Sequence, residues 1–341
     1  MQNKHVLYIG TPIFNYHQRI ISEFEAQGYF VDFYNDRPSE SSWIKGMLKI
    51  KPGMMSALIQ KYFDKIMTET EGKSYDLVFI VNCKVLTPDM IQQLKNRQTS
   101  ARFVLYMWDS LKLYPNSKAL IPLFDKAYSF DLEDCNQVKA LTFLPLFYCK
   151  VFEEVGNDSH PAEIEHDLVS ICTAHPNRYK TMSVLFPALE AKGLRIFSFM
   201  FLNKLQYWYN KAFVQEFKGA SSHEFKFKPL SEQQNLDMLR KSNSVFDMQH
   251  NNQSGLTMRT IETLGAKRKL ITSNAMIKQY DFYNENNIFV MDALNSSDIE
   301  EFIRHDYEPI DAEIYQKYSL HCWLETIINE ASHQYLMEPQ L

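Results

Sequence analysis

Short apolar runs alternate with amphipathic stretches along this chain, and the alternation starts over near its middle. His5 to Ile9 is a predicted strand ending at Gly10, Tyr16 to Gln27 a helix closed by Gly28, and Phe30 to Tyr34 a second strand. Leu77 to Val81 and Phe103 to Met107 read as further strands, Lys126 to Ser129 and Thr142 to Leu144 as two more. The stretch from Val151 to His166 is polar and acidic with Gly and Pro, and reads as a linker. Beyond it come strand Leu168–Cys172, helix Lys180–Lys192, strands Leu194–Phe199 and His223–Phe227, helix Ser231–Lys241 and strand Ser244–Asp247. Ile288 to Met291 is a last strand and Ile314 to Ile328 a final helix. The expectation is an α/β chain with two Rossmann-like domains, 1–155 and 166–312, and a C-terminal helical segment, 313–341.

The segment Asp247 to Asn274 carries the strongest local signal. A polar, glycine-containing loop leads into a short amphipathic helix and then a β-branched strand, Lys269 to Thr272. Ser254 and Thr257 are candidate caps, Leu256, Ile261 and Leu264 form the apolar stripe, and Gly265 is expected to break the helix. A loop feeding a helix N-terminus presents backbone N–H groups and the positive end of the dipole, which suits a phosphate. Glu262, further along the helix, can accept hydrogen bonds from ribose hydroxyls. Arg259, three residues earlier and on the same face, meets either the phosphate or Glu262.

The run SGLTMRTIETLGAKRKLIT is similar to the donor-binding segment of GT-B glycosyltransferases, above all bacterial lipopolysaccharide and capsule biosynthesis transferases and the group named after a spore-maturation protein. The resemblance implies a GT-B fold, two parallel sheets facing an inter-domain cleft, with the C-terminal helix crossing back to the first domain. Many retaining members carry two glutamates separated by seven residues; Glu262 matches the second, and Ser254 stands at the first. The implied activity is transfer of a sugar from a nucleotide-sugar donor to a glycan or lipid-linked acceptor in surface polysaccharide synthesis. The alternatives are a non-catalytic GT-B-like binding protein and a nucleotide-sugar epimerase.

Ligands of open α/β sheets bind at the carboxyl ends of the strands, which singles out further residues. His175, Arg178 and Lys180 follow strand Leu168–Cys172 where GT-B enzymes place a basic pair for the diphosphate, and Pro229 and Leu230 fall where they hold the base. His250, Gln253, Ser254, Gly255, Leu256 and Thr257 complete the donor loop, with Asp247 at its entry. In the first half, Trp108, Asp109 and Ser110 follow strand Phe103–Met107, and Asp109 is the candidate general base for an acceptor hydroxyl, ahead of Asp36, Asp131 and Asp134; an Asx turn or helix cap is the plainer role for it. His17 and Tyr16 are secondary candidates.

Composition narrows the classes. A formal charge of −5 over 341 residues argues against a broad nucleic-acid surface. The five scattered cysteines contain no Cys-x-x-Cys pair, so neither a disulfide framework nor a zinc knuckle is expected. Gly10 is followed by Thr11, Pro12 and Ile13 rather than Gly-x-Gly-x-x-Gly, so no dinucleotide cofactor is expected. Asp-x-Asp and His-x-x-x-His are missing, Asp131-Leu132-Glu133 being the nearest approach, and the donor is expected to be handled without metal. No apolar run approaches the roughly 20 residues that span a bilayer, which places the protein in the cytoplasm. Trp43 to Lys65 interleaves lysines with large apolar residues; it suits a peripheral contact at the inner face of a membrane, or an ordinary helix with solvated lysines.

Overall fold

The computed structural model describes residues 4–41, 44, 52–159, 162–249 and 254–337, which form two compact α/β units.

The first unit runs to Leu146 and also takes in Ser254, Gly255 and Leu320–His333. Its strands are β1 (Lys4–Gly10), β2 (Tyr29–Asn35), β3 (Leu77–Val81), β4 (Arg102–Met107), β5 (Lys126–Ser129) and β6 (Leu141–Phe143). All pair in parallel in the order β2-β1-β3-β4-β5-β6. The central strand β3 reads LVFIV and is buried at every position, because helices cover both faces of a parallel sheet. Among the described residues its helices include α1 (Tyr16–Ala26), α2 (Ser56–Glu69), α3 (Pro88–Arg97) and α4 (Leu132–Gln137). Thr87 caps α3 by accepting from the Met90 amide, with proline at the first turn, where it has no N–H to leave unpaired. Leu7, Ile9, Val78, Ile80, Phe103 and Leu105 bring the strands into one core, against which Ile59 and Phe63 of α2 are packed. Trp43 and residues 45–51 lie outside the described residues; the remainder of the basic, apolar segment contributes Ile59 and Phe63 to the interior.

The helix Leu320–Asn329 is integral to this first unit. Trp323 is 1% exposed and sets its indole edge-on to Tyr106 at 4.8 Å and Phe79 at 5.9 Å. Tyr128 donates to the Thr326 carbonyl at 3.2 Å. The apolar pattern predicts one helix from Ile314 to Ile328, but the chain breaks at Tyr318 and Ser319. There the Tyr318 carbonyl accepts from the Tyr148 amide at 2.8 Å and the Tyr318 hydroxyl donates to Asp281, so the backbone turns instead of continuing its ladder.

The second unit begins at Phe147 and includes the strands β7 (His166–Thr173), β8 (Ile196–Phe201), β9 (Phe225–Lys226), β10 (Ser242–Asp247), β11 (Lys269–Thr272) and β12 (Ile288–Val290). The sheet order is β12-β11-β10-β7-β8-β9, again wholly parallel. Counted from β7 this is the 3-2-1-4-5-6 order of nucleotide-binding sheets, reversing between β7 and β10. Around it lie α5 (Lys150–Gly156), α6 (Pro176–Glu190), α7 (Lys204–Phe213), α8 (Glu232–Arg240), α9 (Met258–Gly265), α10 (Ser296–Arg304) and α11 (Ala312–Lys317). The expected linker therefore contains a helix: α5 buries Phe152 and Val155, and a side chain at Gly156 would meet the Gly265 carbonyl at 2.5 Å.

Gly265 is the last residue of α9 and does not end it by turning left-handed. A Cβ there would come within 2.6 Å of the Tyr148 ring, so the glycine serves close packing, and Lys267 takes the positive φ of 49°. The expected strand His223–Phe227 shortens to Phe225–Lys226, because Ser221 and Glu224 form a capping box on a short 3-10 turn just before it.

Candidate functional site

The carboxyl edge of the first sheet gathers a charged cluster around Lys84. The loop after β3 takes Asn82 and Cys83 through positive φ, 65° and 53°, a conformation that costs free energy and accumulates at functional loops. Asn82 uses it fully: its side-chain carbonyl accepts the amides of Trp108 at 2.7 Å and Asp109 at 2.9 Å, and its amide group donates to the Asp109 carboxylate at 2.8 Å. The turn also delivers Lys84, only 9% exposed, to the point where strand order reverses between β1 and β3. Its Nζ donates to the Thr11 hydroxyl at 3.2 Å and lies 3.6 Å from Asp109 and 3.9 Å from Asp36.

Thr11 in turn donates to Asp36 at 2.7 Å. Burial pushes the Asp36 carboxyl above the ordinary aspartate range, against the opposing pull of Lys84 and the Thr11 hydroxyl. Asp36 is 1% exposed and Asp109 27%, so Asp109 is the carboxylate open to a ligand while Asp36 balances the lysine from within. Tyr16 is buried with its ring 5.6 Å from that of Trp108. His17 turns the other way: its ring lies 5.1 Å from Phe33, its Nδ1 has no hydrogen-bond partner among the described residues, and burial lowers its pKa. Of the two catalytic candidates, Asp109 belongs to the charged cluster and His17 shows no bond to it.

Asp131 and Ser254 are also joined in this unit. The Asp131 carboxylate caps α4 through the Glu133 amide, accepts the Ser254 amide at 3.2 Å and accepts the Ser254 hydroxyl. Gly255 presses on Phe130, where an added Cβ would come 2.5 Å from the ring. The glycine is required by close approach, and the Ser254 amide is engaged with a carboxylate. His250 and Gln253 lie outside the described residues.

In the second unit, β10 ends at Asp247, which is 7% exposed. Its carboxylate accepts from the hydroxyls of Thr257 and Thr260, the latter at 3.2 Å. Thr257 is the cap of α9 and accepts the Thr260 amide at 3.1 Å. Asp247 thus holds the helix start against the strand end, a positioning role that leaves its carboxylate occupied. Leu256 is buried at 2% exposure and anchors the chain just ahead of the cap. One turn in, Arg259 pairs with Glu262 at 3.1 Å, and Glu262 is 7% exposed.

The segment TAHPNRYK is largely helical, α6 starting at Pro176 after His175. Arg178 and Lys180 are two positions apart on that helix and point away from each other. Arg178 turns to the sheet, donating to the Met248 carbonyl through Nε at 3.1 Å and through Nη2, and to the Thr173 carbonyl at 3.3 Å. It therefore bridges the ends of β7 and β10, where strand order reverses. Lys180 is exposed. Pro229 is exposed and Leu230 half-buried just before Ser231, which forms a capping box with Gln234 at the head of α8.

No protein-family model and no curated protein sequence matches this chain. Solved structures do. A glycosyltransferase from Rickettsia africae ESF-5 matches at 11% identity over 97% of this chain and 98% of that one, with a TM-score of 0.55. The N-terminal domain of a Candida albicans trehalose-6-phosphate phosphatase matches at 9% identity, 97% and 96% coverage and a TM-score of 0.59. A UDP-N-acetylglucosamine 2-epimerase from Rickettsia bellii matches at 10% identity, 96% coverage of both chains and a TM-score of 0.54. The fold is GT-B. Since differently named activities share it, the residues rather than the architecture must carry any functional reading.

Thr11, Asp36, Asn82 and Lys84 were missed as a group in the sequence. The rule that singled out Asp109, a polar residue directly after a strand, applies equally to Asn82 and Lys84 after LVFIV. Among the described residues no group of three or more His, Cys, Asp and Glu side chains is arranged to hold a metal, and Glu133 of the Asp-Leu-Glu run pairs with Lys112 at 2.8 Å.

Proposed function

We propose that this chain is a nucleotide-sugar-dependent glycosyltransferase that extends a glycan or a lipid-linked acceptor in bacterial surface polysaccharide synthesis, at the cytoplasmic side of the membrane. The observation that carries the reading is the second unit's switch-point sheet with α9 locked at its start by Asp247 and bearing Arg259 and Glu262 one turn in. A nucleoside diphosphate suits that arrangement: the helix dipole and Arg259 offset phosphate charge, and Glu262, released from Arg259 by the phosphate, accepts the ribose hydroxyls. His175 stands half-buried at the cap of α6, Lys180 is exposed in its second turn, and Arg178 holds the strand ends that frame the site. The names of two structural neighbours, a glycosyltransferase and a UDP-sugar epimerase, support a nucleotide-sugar substrate.

Asp109 is assigned as the base. It takes the proton of the acceptor hydroxyl as that oxygen bonds to the anomeric carbon and the bond from that carbon to the diphosphate breaks, giving an inverted product and a free nucleoside diphosphate. Side-chain cations and the helix N-terminus neutralise the leaving group, so turnover is expected to survive excess EDTA. A thermal-shift screen with UDP-, GDP-, ADP-, TDP- and CMP-linked sugars, followed by calorimetry, tests the donor site. Stabilisation by one nucleotide family is the expected result, and indifference to all of them would remove the reading. The epimerase alternative, favoured by the Rickettsia bellii neighbour, is separated by NMR of the product: inversion within the donor sugar without transfer would establish it.

A further inference from the structure

The helix α7, KLQYWYNKAF, has two unlike faces. Asn203 caps it by accepting the Gln206 amide at 2.8 Å, and Tyr207 locks it down, 3% exposed with its ring 5.5 Å from Phe225 and 5.7 Å from Phe227. The other face is bare. Leu205 is 85% exposed, Trp208 66%, Tyr209 61% and Phe213 75%. At about 3.6 residues per turn these positions form one stripe along the helix. Of the Tyr-Trp-Tyr run, only Tyr207 is buried.

The surroundings favour one kind of occupant. The helix carries Lys204 and Lys211 and no acidic residue, on a chain whose formal charge is −5. Helical geometry places both lysines along the Trp208 edge of the stripe, Lys204 exposed and Lys211 half-buried with its ammonium donating to the Tyr207 hydroxyl at 3.3 Å. Sugar rings are held by aromatics with free hydrogen-bonding side chains beside them, whereas here one edge of the stripe is cationic and Gln206, on the other, accepts from the Asn203 side chain at 3.4 Å. A convex row of large apolar residues, two of them amphipathic aromatics, with lysines along its margin is the pattern of a helix lying in the headgroup region of an anionic bilayer. We propose that α7 is a membrane-docking helix that lays Leu205, Trp208, Tyr209 and Phe213 into an anionic lipid surface with Lys204 and Lys211 at the phosphates. The site is distinct from the segment Trp43–Lys65, and its assignment does not depend on sugar transfer.

The test is sedimentation of the full chain with vesicles of phosphatidylglycerol and phosphatidylcholine in equal parts, and with phosphatidylcholine alone. Binding to the anionic vesicles only is expected, weakening as salt rises from 0.1 M to 1 M and the Debye length falls from ~10 Å to ~3 Å. Trp208 emission, isolated as the difference between the native chain and Trp208→Phe, should shift to the blue on binding. Trp208→Ala with Phe213→Ser removes only exposed side chains, so the melting temperature should hold while vesicle affinity drops at least roughly tenfold. Lys204→Glu with Lys211→Glu should abolish the preference for anionic lipid. A native chain that ignores both vesicles overturns the proposal, as does undiminished sedimentation of the aromatic double variant. A native dimer that this variant turns into a monomer, without vesicle binding, would instead assign the stripe to self-association.

Discussion

Each sheet has a cation sewn across the point where its strand order reverses, but the two are answered differently. In the first unit Lys84 reaches from the end of β3 to Thr11 at the end of β1, and meets the carboxylates of Asp36 and Asp109. In the second, Arg178 spans the ends of β7 and β10 and meets backbone carbonyls, those of Thr173 and Met248. The residue types match these tasks: lysine is a compact charge that several acids can share, whereas the rigid guanidinium fork suits oxygens fixed in place. One edge therefore holds ionisable groups in mutual reach, as proton transfer requires. The other is stitched through backbone carbonyls, and Asp247 and Glu262 there are committed to a helix start and to Arg259.

The largest expected effect lies at the first edge. Asp109→Asn keeps the contact with Asn82 but cannot take a proton, so transfer should fall by roughly 10²–10⁴-fold with nucleotide affinity unchanged. Steady-state rates with saturating donor decide it, and a loss under tenfold would reduce Asp109 to an acceptor-orienting residue. Lys84→Met and Arg178→Met break the comparison more directly. Removing Lys84 leaves buried Asp36 with Arg37, at 3.4 Å, and the Thr11 hydroxyl, and breaking a buried pair costs up to about 3–5 kcal/mol, whereas removing Arg178 strands only carbonyls at about 1–3 kcal/mol. The Lys84 penalty should shrink in acid. A carboxylate whose folded pKa is raised takes up its proton first in the folded state, so stability lost at neutral pH returns as pH falls. Equal urea midpoints for the two variants at pH 7 would erase the distinction drawn between the edges.

Glu262→Ala probes the second edge as a binding surface, with an expected loss of ~1.5–3 kcal/mol in nucleotide affinity by calorimetry and an intact fold. Unchanged affinity would leave Glu262 as the partner of Arg259 and nothing more. The smallest effect concerns Lys269, a fully buried lysine in β11 that donates to the carbonyls of Phe302 and, at 2.7 Å, His305. Burial pulls its pKa down to about 8. The unfolded chain then holds the extra proton between that value and the ordinary lysine range, so stability should rise with pH across this window, by about 1–3 kcal/mol. Urea midpoints at pH 7 and 9.5 should show that rise in the native chain and lose it in Lys269→Met.

Local spacing alone determined much of this protein. The apolar runs place the strands of both sheets, Thr257 is the cap of α9, Lys269–Thr272 is a strand, and Arg259 and Glu262 share a face, because caps and i,i+3 pairs are written within a single turn. Sequence could not tell that Gly265 serves Tyr148 rather than ending its helix, that Tyr318 breaks the final helix, or that Ser254 belongs to Asp131. Nor could it bring Lys84 to Thr11 across 73 residues, or Arg178 to Met248 across 70. Those meetings depend on which strands become neighbours. Strand order is settled by burying both faces of each sheet at once, a property of the whole core that no short window of sequence contains.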